Sequence, residues 1–370
     1  MRKFHLSWMA AAAAALLVGC SGGGAGDQSP RVGYGKLVTF GDSLSDVGSY
    51  NVGVVAAFGG GKYTINGTDQ SLNWTELLAT TIGVDPLCAA QTGLNTNQAL
   101  VGFPPVPEVN HAGCYSYAQG GARVTDPIGP GNAALLQLGD PSGALGQLTK
   151  PVVEQIARHL ANVDVGGHFA ADDLVTVLAG GNDLFMNLAA YGQLLLAGKT
   201  PQEAQDIVVG AMTLAGTELS SYVKDQIVAN GAQRVVVVNV PNASKAPAFV
   251  GDPDTAALVE GMVAAFNAAL ATGLTGTSDH VLLVDSFTVS SDQAAHPAQY
   301  GLTNVTTPAC DLAGALADLP TSLVCSVDTL IVTGEQAMTY QYADTVHPTP
   351  YGYKLLAQLV TQEMAKKGWL

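Results

Sequence analysis

Lys36-Leu37-Val38-Thr39-Phe40 runs directly into Gly41-Asp42-Ser43-Leu44-Ser45. A short apolar run that stops on Gly-Asp reads as a buried strand delivering its next residues to the end of a sheet. A serine in that place projects its hydroxyl toward solvent and substrate, which is where a nucleophile belongs. The tetrapeptide alone also reads as an ordinary polar turn, so the rest of the chain has to decide.

The same pattern recurs three times. Asp173-Leu174-Val175-Thr176-Val177-Leu178 ends in Gly180-Gly181-Asn182-Asp183, Arg234-Val235-Val236-Val237-Val238 ends in Asn239-Val240-Pro241, and His280-Val281-Leu282-Leu283-Val284 ends in Asp285. Between and after these strands, segments 152–162, 201–230, 255–272 and 350–366 carry apolar residues at three- and four-residue spacing. Strands alternating with helices predict an α/β fold: three layers, α/β/α, with a mostly parallel central sheet. Segments 50–130 and 286–340 are rich in Gly, Thr, Asn and Pro and too long for plain connections, so they are expected to form a lid or a substrate-binding wall.

The 370 residues are 48% hydrophobic and 12% charged, the balance of a globular chain with a large core. Residues 1–19 depart from it: Arg2 and Lys3 precede an apolar stretch that ends at Leu17-Val18-Gly19-Cys20, the pattern of a secretion signal. The last four residues resemble the bacterial lipobox, which implies lipidation of Cys20. With Ser21 next, the resemblance points to the outer membrane. Residues 20–34 then read as a lipid-anchored flexible tether and 35–370 as one domain. A net charge of −15 makes nucleic acid a poor partner and would repel anionic surfaces.

Setting Cys20 aside leaves Cys88, Cys114, Cys310 and Cys325. An even set in an exported chain suggests two disulfides, with the local pairs Cys88–Cys114 and Cys310–Cys325 favoured because each lies in loop-like sequence. Four free thiols and a metal site remain the alternatives. A structural zinc site is disfavoured, as no C-x-x-C spacing occurs.

A serine hydroxyl needs a base, and the base needs a partner that fixes its tautomer. Asp344-Thr345-Val346-His347-Pro348 places a carboxylate three residues before an imidazole, in a turn ahead of the last helix. His296 is the competitor, with Gln293 three residues before it and Asp292 four before it. His111, His159, His168 and His280 lack such a partner and read as surface or loop residues. Donors for a developing oxyanion are offered by Tyr117-Ala118-Gln119-Gly120-Gly121-Ala122 and by the amide in Gly180-Gly181-Asn182-Asp183. The nucleophile elbow of the α/β-hydrolases is excluded, since Ser45 stands where G-x-S-x-G has its second glycine. Gly129-Pro130-Gly131-Asn132-Ala133-Ala134 spells a dinucleotide loop but follows no strand.

In this order the four segments resemble the GDSL/SGNH hydrolases, whose blocks are a GDSL serine, a glycine, a G-x-N-D asparagine and a D-x-x-H pair. The resemblance spans Phe40 to His347 and implies Ser43 as nucleophile, His347 as base and Asp344 as its orienter. It implies an oxyanion hole of Ser43 N–H, Gly121 N–H and the Asn182 side chain. Residues 40–48 and 300–306 are similar to the bacterial phospholipase/lecithinase/hemolysin-like branch. Ser116 departs from that pattern, which has Asn there and uses it to brace the loop. The implied activity is a serine esterase or lipase on carboxylic or lipid esters, needing no metal or organic cofactor. A polysaccharide O-acetyl esterase and a non-catalytic ligand-binding lipoprotein are the alternatives.

Overall fold

The computed structural model describes residues 32–370 apart from 318 and 320. The expected leader, the Cys20 anchor and most of the tether lie outside the described residues. Six strands occur among the described residues: β1 Lys36–Gly41, β2 Gln91–Leu94, β3 Val106–Asn110, β4 Asp173–Leu178, β5 Arg234–Val238 and β6 Val281–Val284. The helices are α1 Gly53–Ala57, α2 Trp74–Ile82, α3 Gln98–Val101, α4 Val152–Ala161, α5 Gly181–Leu196, α6 Pro201–Tyr222, α7 Pro253–Gly273, α8 Ser286–Ala295, α9 Gly334–Ala337 and α10 Pro350–Lys367.

β1, β4, β5 and β6 form one sheet in that order, every pair parallel. On the far side of β1, Thr39 N donates to Tyr115 O at 3.0 Å and Tyr117 N to Thr39 O at 2.7 Å, so 115–117 adds a rudimentary fifth strand. The chain thus leaves β1 to one side and returns to the other. That reversal opens a crevice beyond the carboxyl end of β1, the usual ligand position in open parallel sheets.

Alternation along each strand sorts the two faces. Val38, Phe40, Val175, Val177, Val235 and Val237 pack with residues of α4, α6 and α7, while Leu37, Leu174, Leu178, Val236 and Val238 pack with α2 and α10. Both faces are covered, which is why these strands read as nearly continuous apolar runs. α7 is long and apolar enough to cross a membrane by composition, yet its Val259, Met262, Val263, Phe266 and Leu270 stripe is buried in the main core.

Six of these helices go beyond the periodic segments, and α2, α5 and α8 are the longest of them. α2 carries a legible start signal, a capping box in which Asn73 accepts from Glu76 N and the Glu76 side chain accepts from Asn73 N. α5 has no such cap and buries only Asn182, Asp183 and Leu184. α8 occupies the start of what reads as the second insert.

The two inserts pack on each other. Tyr50, Tyr63, Ile65 and Leu94 of the first share a second core with Ala309, Leu323, Val324 and Cys325 of the second. Both local disulfides are present, Cys88–Cys114 and Cys310–Cys325, with Cα separations of 5.1 and 6.1 Å. A second hairpin-like sheet, β2 against β3, belongs to the first insert. Of the two inserts only the second contributes to the wall beside Ser43, through Val289 and neighbouring residues of α8; the first braces instead of lining.

His159 corrects the surface reading. It lies on the inner stripe of α4 with Val152, Gln155 and Ile156, fully buried. Its ring stacks on Phe169 at 4.5 Å between centroids, and neither ring nitrogen has a hydrogen-bond partner among the described residues. Helical spacing from Val152, not the absence of a local carboxylate, decides its place.

Candidate active site

Ser43 stands two residues past the end of β1, where the backbone is tied on several sides. A side chain at Gly41, whose φ is +149°, would collide with the carbonyl oxygen of Leu178 on β4. Gln155 of α4 closes on the same residue: its Oε1 accepts from Gly41 N and its Nε2 donates to Gly41 O, both at 2.8 Å. A buried amide that satisfies both backbone groups of one residue leaves that residue little freedom. Asp42 Oδ1 accepts from Leu44 N at 3.0 Å and ties down the turn itself. Burial pushes the Asp42 carboxyl up to about 7, against the lowering effects of that hydrogen bond and of nearby His347.

From 304 residues away, His347 Nε2 comes within 2.9 Å of Ser43 Oγ. Its Nδ1 is 2.7 Å from Asp344 Oδ2. Since the carboxylate can only accept, Nδ1 carries the proton and Nε2 accepts from the Ser43 hydroxyl. Asp344 is 3% exposed and receives three backbone donors: Val346 N and His347 N on Oδ1, and Ser322 N on Oδ2 at 2.9 Å. Burial acts to raise its pKa, but the His347 charge and these hydrogen bonds outweigh it and hold the carboxyl well below the usual range.

Asn182 opens α5 and is 5% exposed. Its Nδ2 donates one hydrogen to Ala122 O at 2.8 Å, which leaves the second hydrogen available. Asp183 binds the block that carries Gly121: Oδ1 accepts from Arg123 Nε at 3.1 Å and Oδ2 from Val124 N at 3.0 Å. Gly120 N is already engaged, donating to Asp46 Oδ2 at 2.9 Å. Ser43 N and Gly121 N have no acceptor among the described residues. Gly121 has φ +77°, and a Cβ there would collide with Pro130 O, so the turn demands glycine.

Beside Ser43, Asn182 and His347 opens a cavity of about 120 Å³. Its far walls are apolar, from Leu184 and Phe185 of α5, Val240 after β5, Val289 of α8, and Leu356 and Leu359 of α10.

Every residue that the sequence reading gathers for the site is thus accounted for, with Ser43, His347 and Asp344 in one chain of hydrogen bonds. His296 is elsewhere: its Nδ1 pairs with Asp292 Oδ1 at 2.8 Å on the exposed side of α8. Ser116 Oγ is buried without a partner among the described residues, and the loop is braced by other groups. They are Asp46, on Gly120 N, and Gln119, whose Oε1 accepts from Lys150 N at 3.0 Å. The sequence reading does not reach the parts played by Asp46, Gln155, Tyr63 and Ser322. Asp46, three residues after Ser43, is the one with a sequence signal, a carboxylate too close to the nucleophile's turn to be free of it.

A serine, an imidazole and a carboxylate linked at the carboxyl end of a parallel sheet are the arrangement of a serine hydrolase. The chain belongs to the GDSL-like lipase/acylhydrolase family, which matches residues 37–360, and is a hydrolase acting on esters. No curated protein sequence matches it. Among solved structures it is similar to a lipolytic G-D-S-L protein from Veillonella parvula DSM 2008, with 14% identity, 88% of this chain and 96% of that one covered, and a TM-score of 0.33. It is also similar to an acetylxylan esterase from Geobacillus stearothermophilus, with 15% identity, 90% and 96% covered, and a TM-score of 0.37. At these values neither neighbour's activity bears on this chain.

Proposed function

We propose that the protein is a serine esterase of lipid or other acyl esters, working through an acyl-enzyme on Ser43. The observation that carries this reading is the apolar cavity beside Ser43 Oγ, walled by Phe185, Val289, Leu356 and Leu359. Apolar lining binds acyl chain through the hydrophobic effect, at about 0.8 kcal/mol per buried methylene. An acetyl group would leave most of that surface unused, which places O-acetyl esterase second.

In the first step His347 Nε2 takes the Ser43 proton as Oγ attacks the ester carbonyl. Ser43 N–H, Gly121 N–H and the free Asn182 amide hydrogen receive the developing negative charge. Asp344 holds the Nδ1–H tautomer and stabilises the imidazolium. The imidazolium then gives its proton to the leaving alcohol. In the second step water attacks the acyl carbon, its proton passing to Nε2 and on to Ser43 Oγ as the carboxylic acid leaves.

The two disulfides support export to an oxidising compartment. With a leader over residues 1–19 and Cys20 directly after it, the reading extends to a lipid-anchored protein of the outer membrane. The discriminating measurement is p-nitrophenol release from acetate, butyrate and palmitate esters by the chain without residues 1–19, beside Ser43→Ala and His347→Ala. We expect longer esters to be preferred to acetate and both variants to lose at least about 10⁴-fold in kcat. A folded wild-type protein inactive on all three esters would replace this reading with a specialised glycan esterase or a non-catalytic binding protein.

A further inference from the structure

His347 is held at both ring nitrogens, by Asp344 and by Ser43. One of those bonds cannot last through the reaction proposed above. Once Ser43 is acylated, its Oγ is an ester oxygen with no proton to donate, so the imidazole keeps only the bond to Asp344. Yet in that state Nε2 must meet a water molecule at the acyl carbon. Something other than hydrogen bonding has to hold the ring during the second half of the cycle.

Tyr63, from the first insert, is built for that. Its ring lies on the face of the His347 imidazole, 4.7 Å between centroids and tilted by 36°. The residue is 4% exposed, in the core that the two inserts share. Its own place is fixed on three sides. The Tyr63 carbonyl accepts from Tyr353 Oη of α10 at 3.1 Å, and the Tyr50 ring stands edge-on to it at 6.4 Å. Its phenol end abuts Gly120, where any side chain would collide with the ring. Gly120 is itself pinned by Asp46 on its N–H and by Tyr50 Oη, which donates to its carbonyl at 2.7 Å. One aromatic ring therefore touches both the base and the glycine turn that carries Gly121.

We propose that Tyr63 is the positioning residue of the deacylation step, backing the His347 ring while the acylated Ser43 cannot hold it. The inference rests on the acyl-enzyme reading. A ring free to tilt about its single remaining bond would meet water in the wrong geometry, and a misplacement of about 1 Å can cost on the order of 100-fold. Acylation suffers less, because Ser43 and Asp344 then hold both nitrogens. The role belongs to the ring face, so phenylalanine should serve where leucine does not.

The test compares wild type, Tyr63→Leu and Tyr63→Phe on p-nitrophenyl butyrate, with fluorophosphonate labelling read separately because it reports only the attack by Ser43. For Tyr63→Leu we expect kcat and KM to fall together by about tenfold, kcat/KM to hold within about threefold, and a burst of p-nitrophenol equal to enzyme to appear. Labelling should stay within about threefold of wild type, and Tyr63→Phe should restore turnover to that margin. Near-ultraviolet circular dichroism establishes that each variant is folded. Equal loss of kcat/KM and kcat, failure of phenylalanine to rescue, or unchanged kinetics in Tyr63→Leu would overturn the proposal. A wild-type protein that neither labels nor turns over overturns the acyl-enzyme reading first, and this one with it.

Discussion

Ser43 and Asn182 stand just past the ends of adjacent parallel strands, whereas Asp344 and His347 stand in a turn between an insert and the last helix. The first pair inherits its place from the β1–β4 register, in which Gly41 faces Leu178. The second pair is placed by contacts with both inserts: Ser322 N on the Asp344 carboxylate and the Tyr63 ring on the imidazole. The sheet half is held by the parallel β1–β4 ladder and by the two Gln155 bonds to Gly41. The insert half is held by a small separate core, closed by Cys310–Cys325, which lies three residues from Ser322. The difference teaches that the nucleophile is a property of the sheet, while the base depends on how well two irregular segments pack.

The largest effect should come from the carboxylate that joins the halves. Asp344→Asn keeps the shape but lets the imidazole adopt the wrong tautomer, and kcat should fall about 10⁴-fold with little change in melting temperature. A loss below about tenfold would mean that Ser322 and Tyr63 orient the base without the charge.

On the sheet side, Asn182→Ala removes one oxyanion donor and should lower kcat by about 10²–10³, seen as equal loss in kcat and kcat/KM. A change confined to KM would show that Asn182 binds substrate in the ground state instead.

The disulfides offer a further contrast, because Cys310–Cys325 lies in the core that the two inserts share, whereas Cys88–Cys114 lies outside it, next to the 115–117 segment that pairs with β1. Opening Cys310–Cys325, whose loop spans 15 residues, as the double serine variant should cost about 3 kcal/mol in denaturant unfolding. It should also lower kcat by loosening Ser322. Opening Cys88–Cys114 should destabilise without touching kcat. Equal effects on kcat would erase the distinction drawn between sheet and insert.

The smallest effect concerns the main core. Burial lowers the pKa of His159 to about 4 from 6.5, so between those values the unfolded chain binds more protons than the folded one. Stability contributed by the neutral buried ring is therefore complete above about pH 6.5 and is lost as pH falls toward 4. His159→Phe should remove on the order of 2 kcal/mol of acid destabilisation, seen as a smaller drop in melting temperature from pH 7.5 to 5. Asp42 and Asp46, raised by burial to about 7 and about 6, act in the opposite sense and become less costly as they protonate. An unchanged acid limb in the variant would assign it to other groups.

Much of the sheet half was legible beforehand. Each strand is a near-continuous apolar run ended by Gly, Asn or Asp, because a parallel strand covered on both faces has no polar side to interrupt it. Local spacing also marked Asp344 and His347, since three residues in a turn bring both side chains to one side. What stayed hidden were groups acting through backbone amides or ring faces. Gln155 looked like any polar residue of an amphipathic helix, and Tyr63 and Ser322 like loop residues. Their partners lie far away in sequence, and no local pattern encodes such a contact.

The sequence by itself determined which residues are chemically able to act, and that they stand at strand ends, because periodicity and turn chemistry are local. Only the tertiary structure decided that His347 reaches Ser43 across 304 residues, that Gly121 N stays free while Gly120 N is engaged, and that an apolar cavity opens beside them. Those outcomes depend on how separately folded segments fill space against one another, and packing of that kind is settled by the whole core at once.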